Sequence, residues 1–406
     1  MWTPVVCRSG VLGEEVKTLP VKECVSSPDY VANKFAMEFL PRVHMTTVLL
    51  LSRFVCSSAL LIPPTLLAAP VARDTDVACV LSHAEIKSLQ PLRVHEGAVP
   101  ATALKGLTIN CGLHQLSEAS VDAVGIELVT ERGATKIRWP WIARVVKRGR
   151  AGAWECWMKD EDDDEDEDEE AQPSKVEGFS ELTQRPASLL PLDDEGGQPP
   201  TAVLGGFNMH SFKGMTSKGD TERKLGALGS RLRGTVLDVC TGLGYTACGA
   251  AAKPATERVV TIELDPLMIE MQRANPWSAA LFTDSSEAHS AKITRLLGDA
   301  TEVLPALPAG AFDCCIHDPP TNAMSGELYS ADFYAQIRRC LRPNGVLFHY
   351  VGDPSSKASG RLFKGITERL RQAGFESVKT VQEAYGIVAI ASGNGRHSAD
   401  VSDDSF

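Results

Sequence analysis

From residue 235 onward, short apolar runs alternate with segments of helical periodicity. Val236, Leu237 and Val239 form a strand-length apolar run that enters two close glycines, Gly242 and Gly244, and 245–252 then has the composition of a helix. A second run, VVTIE, ends on Glu263, and 266–274 predicts a helix opened by Pro266 and stopped by Asn275 and Pro276. Further strands are predicted at 293–297, 312–316 and 345–351. Between the last two, 327–341 places Leu328, Phe333, Ile337 and Leu341 along one side of an amphipathic helix. A helix over 362–373 stops at Gly374, and 375–381 with 385–391 predicts a closing strand pair. This alternation predicts an α/β fold, a doubly wound, Rossmann-like sheet over 201–391.

Upstream the pattern changes. Alternating stretches at 121–129 and 136–146 predict a small β-rich domain over 81–158, with Trp139, Trp141, Trp154 and Trp157 as core residues. An unbroken acidic run, 160–170, carries eleven negative charges and cannot pack against itself. With the prolines and polar residues that follow, it predicts a disordered linker over 159–200, whose charge would suit a basic protein partner. Without that run the net charge of −11 vanishes, leaving acids and bases equal at 41 each. High-affinity binding of bare DNA, which needs concentrated Lys and Arg, is not indicated. The tail 392–406 is rich in Gly, Ser and Asp and predicts fraying.

Residues 1–80 predict no clear domain. Within them, 41–72 contains Arg42, His44 and Arg53 but no acid, so a start at Met45 would make it an organelle import signal. Arg53 and Pro63-Pro64 interrupt the apolar stretch, which argues against a membrane span. The eleven cysteines lack metal-ligand spacing, so they predict reduced core thiols, a cytoplasmic location and no metal.

The chemistry concentrates at the predicted strand ends. Gly242 and Gly244 allow a sharp turn and a close backbone approach to a ligand. Glu263 lies 19 residues past Gly244, near the spacing of about 20 at which a carboxylate grips a ribose. The full dinucleotide fingerprint is missing, since Cys240 and Thr246 stand where outer glycines would be, which points to a cofactor with a ribose but no phosphates. Asp238, Asp299 and Asp318 add acids to the same predicted sheet edge, and Thr241, Tyr245, Asp265 and Ala300 flank these positions as further cofactor candidates. Asp318, followed by Pro319-Pro320, is held out of helical geometry and can orient a neutral nitrogen nucleophile. His317, His349 and Tyr350 are predicted beside it, with one histidine collecting the released proton. Core histidines with satisfied hydrogen bonds are the competing reading.

Residues 235–391 resemble a class I S-adenosylmethionine-dependent methyltransferase domain. More narrowly, GGFNMHSF (205–212), LDVCTGLGYTA (237–247), NPWS (275–278), GDATEVL (298–304), HDPPTNAMSGELYSADFY (317–334) and LFHYVGDP (347–354) resemble a largely archaeal family of predicted methyltransferases distantly similar to spermidine synthases. The resemblance implies S-adenosyl-L-methionine as cofactor, with the glycine turn and Asp238 at its methionine end, Glu263 on the ribose and Asp299 near the adenine. It also implies methyl transfer; the Asp318-Pro319-Pro320 reading makes the acceptor a nitrogen, with small molecule, RNA or protein left open. Thr321 stands where that family carries an arginine. Two alternatives remain: aminopropyl transfer, as in polyamine synthases, and a catalytically idle binding fold.

Overall fold

The computed structural model describes residues 76–93, 106–116, 118–149, 151–158, 172–192, 197–210, 215–282, 289–356 and 359–393. These residues lie within one compact unit, 60–406. The import-signal segment, the acidic run and most of the tail lie outside the described residues.

The N-terminal part is built from β1 (Val77–Ser82), α1 (His83–Leu89), β2 (Thr108–Ile109), β3 (His114–Gln115), β4 (Glu118–Val121), β5 (Gly125–Val129), β6 (Ala134–Arg138), α2 (Trp139–Arg148) and β7 (Ala153–Trp157). A capping box opens α1, with Ser82 and Glu85 exchanging hydrogen bonds. The expectation of alternation through 136–146 is corrected. Pro140 sits in the first turn of α2 and Gly149 closes it in left-handed geometry, so strand gives way to helix at Trp139. Trp139, Trp141 and Trp154 are buried with Ile126, Leu128 and Ile142, as the core assignment required, whereas Trp157 is half-buried against a second core.

The linker expectation is corrected from 172 onward. There the chain forms β8 (Ser174–Lys175), β9 (Glu177–Ser180) and β10 (Arg185–Leu190), followed by β11 (Thr201–Leu204) and β12 (Phe207–Asn208). The last four make an antiparallel sheet in the order β12-β11-β10-β9. Ala187, Leu189 and Ala202 alternate toward one face and are buried. The acidic run masks this period-two pattern in any composition-based reading.

The large sheet follows. Its elements are α3 (Ser217–Leu228), β13 (Gly234–Val239), α4 (Tyr245–Ala251), β14 (Thr256–Glu263), α5 (Pro266–Ala274), β15 (Ile293–Leu297), α6 (Ala300–Ala306), β16 (Phe312–His317), α7 (Ala331–Cys340), β17 (Leu341–Tyr350), α8 (Ser359–Gln372), β18 (Phe375–Val381) and β19 (Gly386–Ala391). The strand order is β15-β14-β13-β16-β17-β19-β18, parallel through β17 and antiparallel at β19 and β18. This is the doubly wound sheet the alternation predicts. The predicted helix 327–341 is divided: a 3-10 turn at Gly326–Tyr329 comes first, and Ser330 then caps α7.

The chain runs outward from β13 to β14 on one side and returns to β16 on the other, so the crevice of the fold opens between β13 and β16. Val239 pairs with His317 and His317 with His349, which aligns three strand ends at this point. Alternation then sorts their side chains. Cys314, Ile316, Val346 and Phe348 pack with Leu225 of α3 and Ala247 of α4. Cys315 and Leu347 pack on the opposite face with Phe333 and Ile337 of α7 and Phe363 and Ile366 of α8. The antiparallel sheet leans on α5, where Leu267, Met268 and Met271 join Leu189 and Ala202 in one core.

Candidate active site

The glycine turn departs from β13 through left-handed residues, with φ of 69° at Cys240, 55° at Gly242 and 77° at Gly244. Gly244 N–H donates to Thr241 O at 2.8 Å, and Gln272 Nε2 donates to Gly242 O at 2.6 Å. A Cβ at Gly242 would come within 2.7 Å of Met209 Sδ, and one at Gly244 would overlap Leu281. Gly242 is favoured by its left-handed φ, and Gly244 by both its φ and the packing of Leu281.

Glu263 ends β14 beneath this turn. Its Oε2 accepts from Gly242 N–H at 2.8 Å, and Oε1 accepts from the N–H groups of Leu264 and Asp265 at 2.9 and 3.0 Å. Burial pushes its carboxyl up to about 7, against the lowering effect of those three donors. A carboxylate offers about four lone-pair sites, so three donors leave acceptor capacity for a hydroxyl. Asp299 caps α6, with Oδ1 accepting from Thr301 N–H and Oγ1, both at 2.7 Å. Among the described residues its Oδ2 makes no hydrogen bond. A left-handed glycine turn beside two carboxylates with acceptor capacity fits an adenosyl cofactor with a free ribose diol.

Several expected cofactor contacts are placed elsewhere. Asp238 is wholly buried, with its oxygens accepting from Thr246 Oγ1 at 2.8 Å and Thr261 Oγ1 at 2.6 Å. Burial pushes it up to about 7. It fixes the turn from within and does not face the crevice, because strand alternation points it at the α4 side of the sheet. Thr241 Oγ1 joins the same buried network through Thr261 Oγ1 at 2.5 Å. The Tyr245 hydroxyl donates to Pro200 O at 2.7 Å and accepts from Asn275 Nδ2 at 2.8 Å, so its ring braces α4 against the antiparallel sheet. Asp265 is an N-cap for α5, accepting from Leu267 N–H at 3.0 Å, and Ala300 is buried in the core. Of the cofactor candidates, Gly242 and Gly244 lie in the turn after β13, Glu263 at the end of β14 and Asp299 at the start of α6.

The four catalytic candidates divide between the two faces of the sheet. Asp318 and Tyr350 lie on the α3 side, where Lys224 Nζ stands 2.6 Å from Asp318 Oδ2, 2.7 Å from Asp220 Oδ2 and 4.5 Å from the Tyr350 ring centroid. Burial opposes the Lys224 charge, but Asp318 and Asp220 outweigh it and hold the ammonium above its usual range. Asp220 is raised by burial, with Asp318 adding to the effect. Tyr350 is pushed up to about 12, chiefly by burial. The Asp318 side chain is 20% exposed, against 4% for Lys224 and 5% for Asp220, so the carboxylate is the part of the cluster that meets solvent.

His317 and His349 lie on the other face and are wholly buried, which corrects their expected place in the site. They stack at 4.5 Å between ring centroids. His317 Nε2 pairs with Leu328 O at 3.0 Å, and His349 Nε2 with the Tyr334 hydroxyl at 2.9 Å. Burial lowers His317 to about 4 and, with His317 beside it, holds His349 well below the imidazole range. Neutral, enclosed rings of this kind cannot collect a proton from the crevice near pH 7.

Sequence reasoning missed Lys224 and Asp220. Their i,i+4 spacing behind the cap Thr216 was the available signal. It was weak because α3 has no clean apolar stripe to identify it as a helix.

A model of the spermine/spermidine synthase domain matches residues 201–389. An uncharacterised protein of Methanocaldococcus jannaschii is 44% identical over 193 residues, covering 47% of this chain and 64% of that protein. Polyamine aminopropyltransferase 2 of Streptomyces coelicolor is 32% identical over 163 residues, covering 39% of this chain and 28% of that enzyme. Putrescine N-methyltransferase 4 of Nicotiana tabacum is 28% identical over 114 residues, covering 28% of each. The match thus spans less than two thirds of the archaeal relative and about a quarter of the two enzymes. The chain carries a spermidine-synthase-like domain, and its relatives include both aminopropyltransferases and N-methyltransferases.

Proposed function

We propose that this protein is an S-adenosylmethionine-dependent methyltransferase acting on a nitrogen nucleophile. The observation that carries the reading is the Lys224–Asp318 ion pair beside the glycine turn, where Asp318 N–H donates to Val239 O at 3.2 Å. S-adenosylmethionine, when bound, supplies an electrophilic methyl group on a sulfonium. Gly242 and Gly244 would admit it, Glu263 would accept from its ribose and Asp299 would lie toward its adenine.

The acceptor nitrogen's lone pair would take the methyl group as the C–S electrons stay with sulfur, and the proton of the resulting ammonium would pass to solvent at the open side of Asp318. Asp318 would accept a hydrogen bond from the incoming amine and aim its lone pair. The two prolines that follow hold the Asp318 backbone, and Pro320 O is itself fixed by the Tyr329 hydroxyl at 2.8 Å. Lys224 is a positioning residue, since its ammonium pairs with Asp318 Oδ2 and fixes that carboxylate in one place.

The same lysine favours methyl over aminopropyl transfer. A polyamine acceptor and a donor with a cationic aminopropyl arm need uncompensated carboxylates, and Lys224 already neutralises one charge of the Asp220–Asp318 pair. A donor that keeps its own carboxylate tolerates a nearby ammonium. Titration calorimetry with S-adenosylmethionine and its decarboxylated analogue tests this. The expected result is saturable binding of the former and at least about tenfold weaker binding of the latter, a difference of ~1.4 kcal/mol. Tighter binding of the decarboxylated compound, with methylthioadenosine formed in the presence of putrescine, would give the aminopropyl reading instead.

A further inference from the structure

On the α8 side of the sheet edge lies a cavity of about 610 Å³, within the size range of small-molecule sites. It is lined by Asn322, Tyr329, Ser330, Arg361, Gly365 and Arg369, among others. Two arginines of α8, Arg361 and Arg369, line it, and none of the described lining residues is acidic. Arg361 is exposed, whereas Arg369 is half-buried and its Nε, shielded from solvent, has no hydrogen-bond partner among the described residues. An unpaired guanidinium N–H away from water is costly unless a ligand supplies the acceptor. Gly365 keeps the space in front of it open, since a Cβ there would lie 3.3 Å from an Arg369 terminal nitrogen.

One wall is Tyr329. Its hydroxyl donates to Pro320 O at 2.8 Å, two residues past Asp318, and its phenol is raised by burial, by Tyr334 and then by the Asp318 charge. The cavity is therefore bounded by the same loop that carries Asp318. Arg369 also hydrogen-bonds the Tyr334 hydroxyl, which in turn meets His349 at 2.9 Å. That chain anchors the arginine to the sheet from behind.

We propose that this cavity binds an anionic group, phosphate or carboxylate, on the methyl acceptor, held by Arg361 and Arg369 with Asn322 and Ser330 as neutral partners. The assignment rests on the methyl-transfer reading. It makes the acceptor an amine with a negatively charged end, in contrast to the wholly cationic polyamines. Guanidinium donors match the planar or tetrahedral oxygens of such groups with charge-assisted hydrogen bonds.

Three small amines that differ at the far end provide the test: phosphoethanolamine, β-alanine and putrescine, each titrated calorimetrically into the full-length protein saturated with S-adenosylmethionine. Phosphoethanolamine or β-alanine should bind saturably, and the stronger of the two identifies phosphate or carboxylate as the recognised group. Arg361→Gln and Arg369→Gln should each weaken that binding by about tenfold or more, the equivalent of ~1.4 kcal/mol. Because Arg361 is exposed, its variant serves even if Arg369→Gln fails to fold. Binding of putrescine alone, binding of no probe at millimolar concentration, or anion binding indifferent to Arg361→Gln would each overturn the proposal. The two levels of the account fail separately. Loss of S-adenosylmethionine binding, measured first without amines, would remove the methyl-transfer reading, whereas retained cofactor binding with no anion binding removes only the cavity assignment.

Discussion

His317 and Asp318 are neighbours in the chain but belong to different environments, and so do His349 and Tyr350. On the α8 face the histidines stack as neutral, buried rings whose Nε2 atoms meet Leu328 O and the Tyr334 hydroxyl, with Arg369 behind Tyr334. On the α3 face Asp318 and Tyr350 share a charged cluster around Lys224, with Asp318 partly open to solvent. Both clusters are polar and sit at the same strand ends. Burial without a counter-ion leaves imidazoles neutral, whereas burial between two carboxylates keeps an ammonium charged. Polar residues at a sheet edge therefore acquire a role from the face they occupy and the charge that meets them there.

The sharpest way to break this contrast is to remove the cation. Lys224→Met leaves Asp220 and Asp318 facing each other without compensation, and breaking such a buried pair costs about 3–5 kcal/mol. Denaturant unfolding should show that loss, and the double variant Lys224→Met/Asp220→Asn should recover much of it. A Lys224→Met protein as stable as wild type would mean that the charged cluster is not organised as described.

Next in size is the chemical effect of Asp318. Asp318→Asn should lower turnover by about a hundredfold or more, within the range for a positioned acid–base or orienting group, while S-adenosylmethionine affinity changes little. Equal losses in turnover and cofactor affinity would move Asp318 from the acceptor side to the cofactor side.

The pH dependence of cofactor binding probes Glu263. In the proposed complex a ribose hydroxyl would donate to the ionised carboxylate, and in the free protein burial raises this group to about 7. Below that value the carboxyl must first lose its proton, so affinity should rise roughly tenfold per pH unit up to about 7 and level off above it. Glu263→Gln should flatten the profile. A wild-type profile flat from pH 5 to 8 would remove Glu263 from the ribose site.

The smallest effect should come from the closed face. His349→Gln should cost about 1 kcal/mol of stability through its hydrogen bond to Tyr334 and leave turnover within a factor of about three. A hundredfold loss of turnover in a folded His349→Gln protein would restore the histidines to the chemistry.

The sheet was legible because its strands are covered on both faces and so appear as continuous apolar runs, with glycine and proline marking the turns. Glu263 and the two glycines were legible through spacing. The division of His317 from Asp318 was not, since residue type and proximity to a strand end say nothing about which face a side chain occupies until register is known. Asp238 was misplaced for the same reason. Lys224 escaped notice because its partners are 4 and 94 positions away, and only the second of them belongs to a recognisable motif. The strands between 174 and 190 were hidden by an adjacent charge run that dominates composition without governing the residues beyond it.

The most direct measurement of methyl transfer at the Asp318 edge uses radiolabelled S-adenosylmethionine in a cell extract depleted of small molecules, then resupplied with separated RNA, protein and metabolite fractions. Wild-type protein should transfer the methyl label to one fraction, with Asp318→Asn reducing that transfer about a hundredfold and His349→Gln leaving it nearly intact. Equal labelling by wild type and Asp318→Asn, or no labelling of any fraction by a protein that binds the cofactor, would contradict the account.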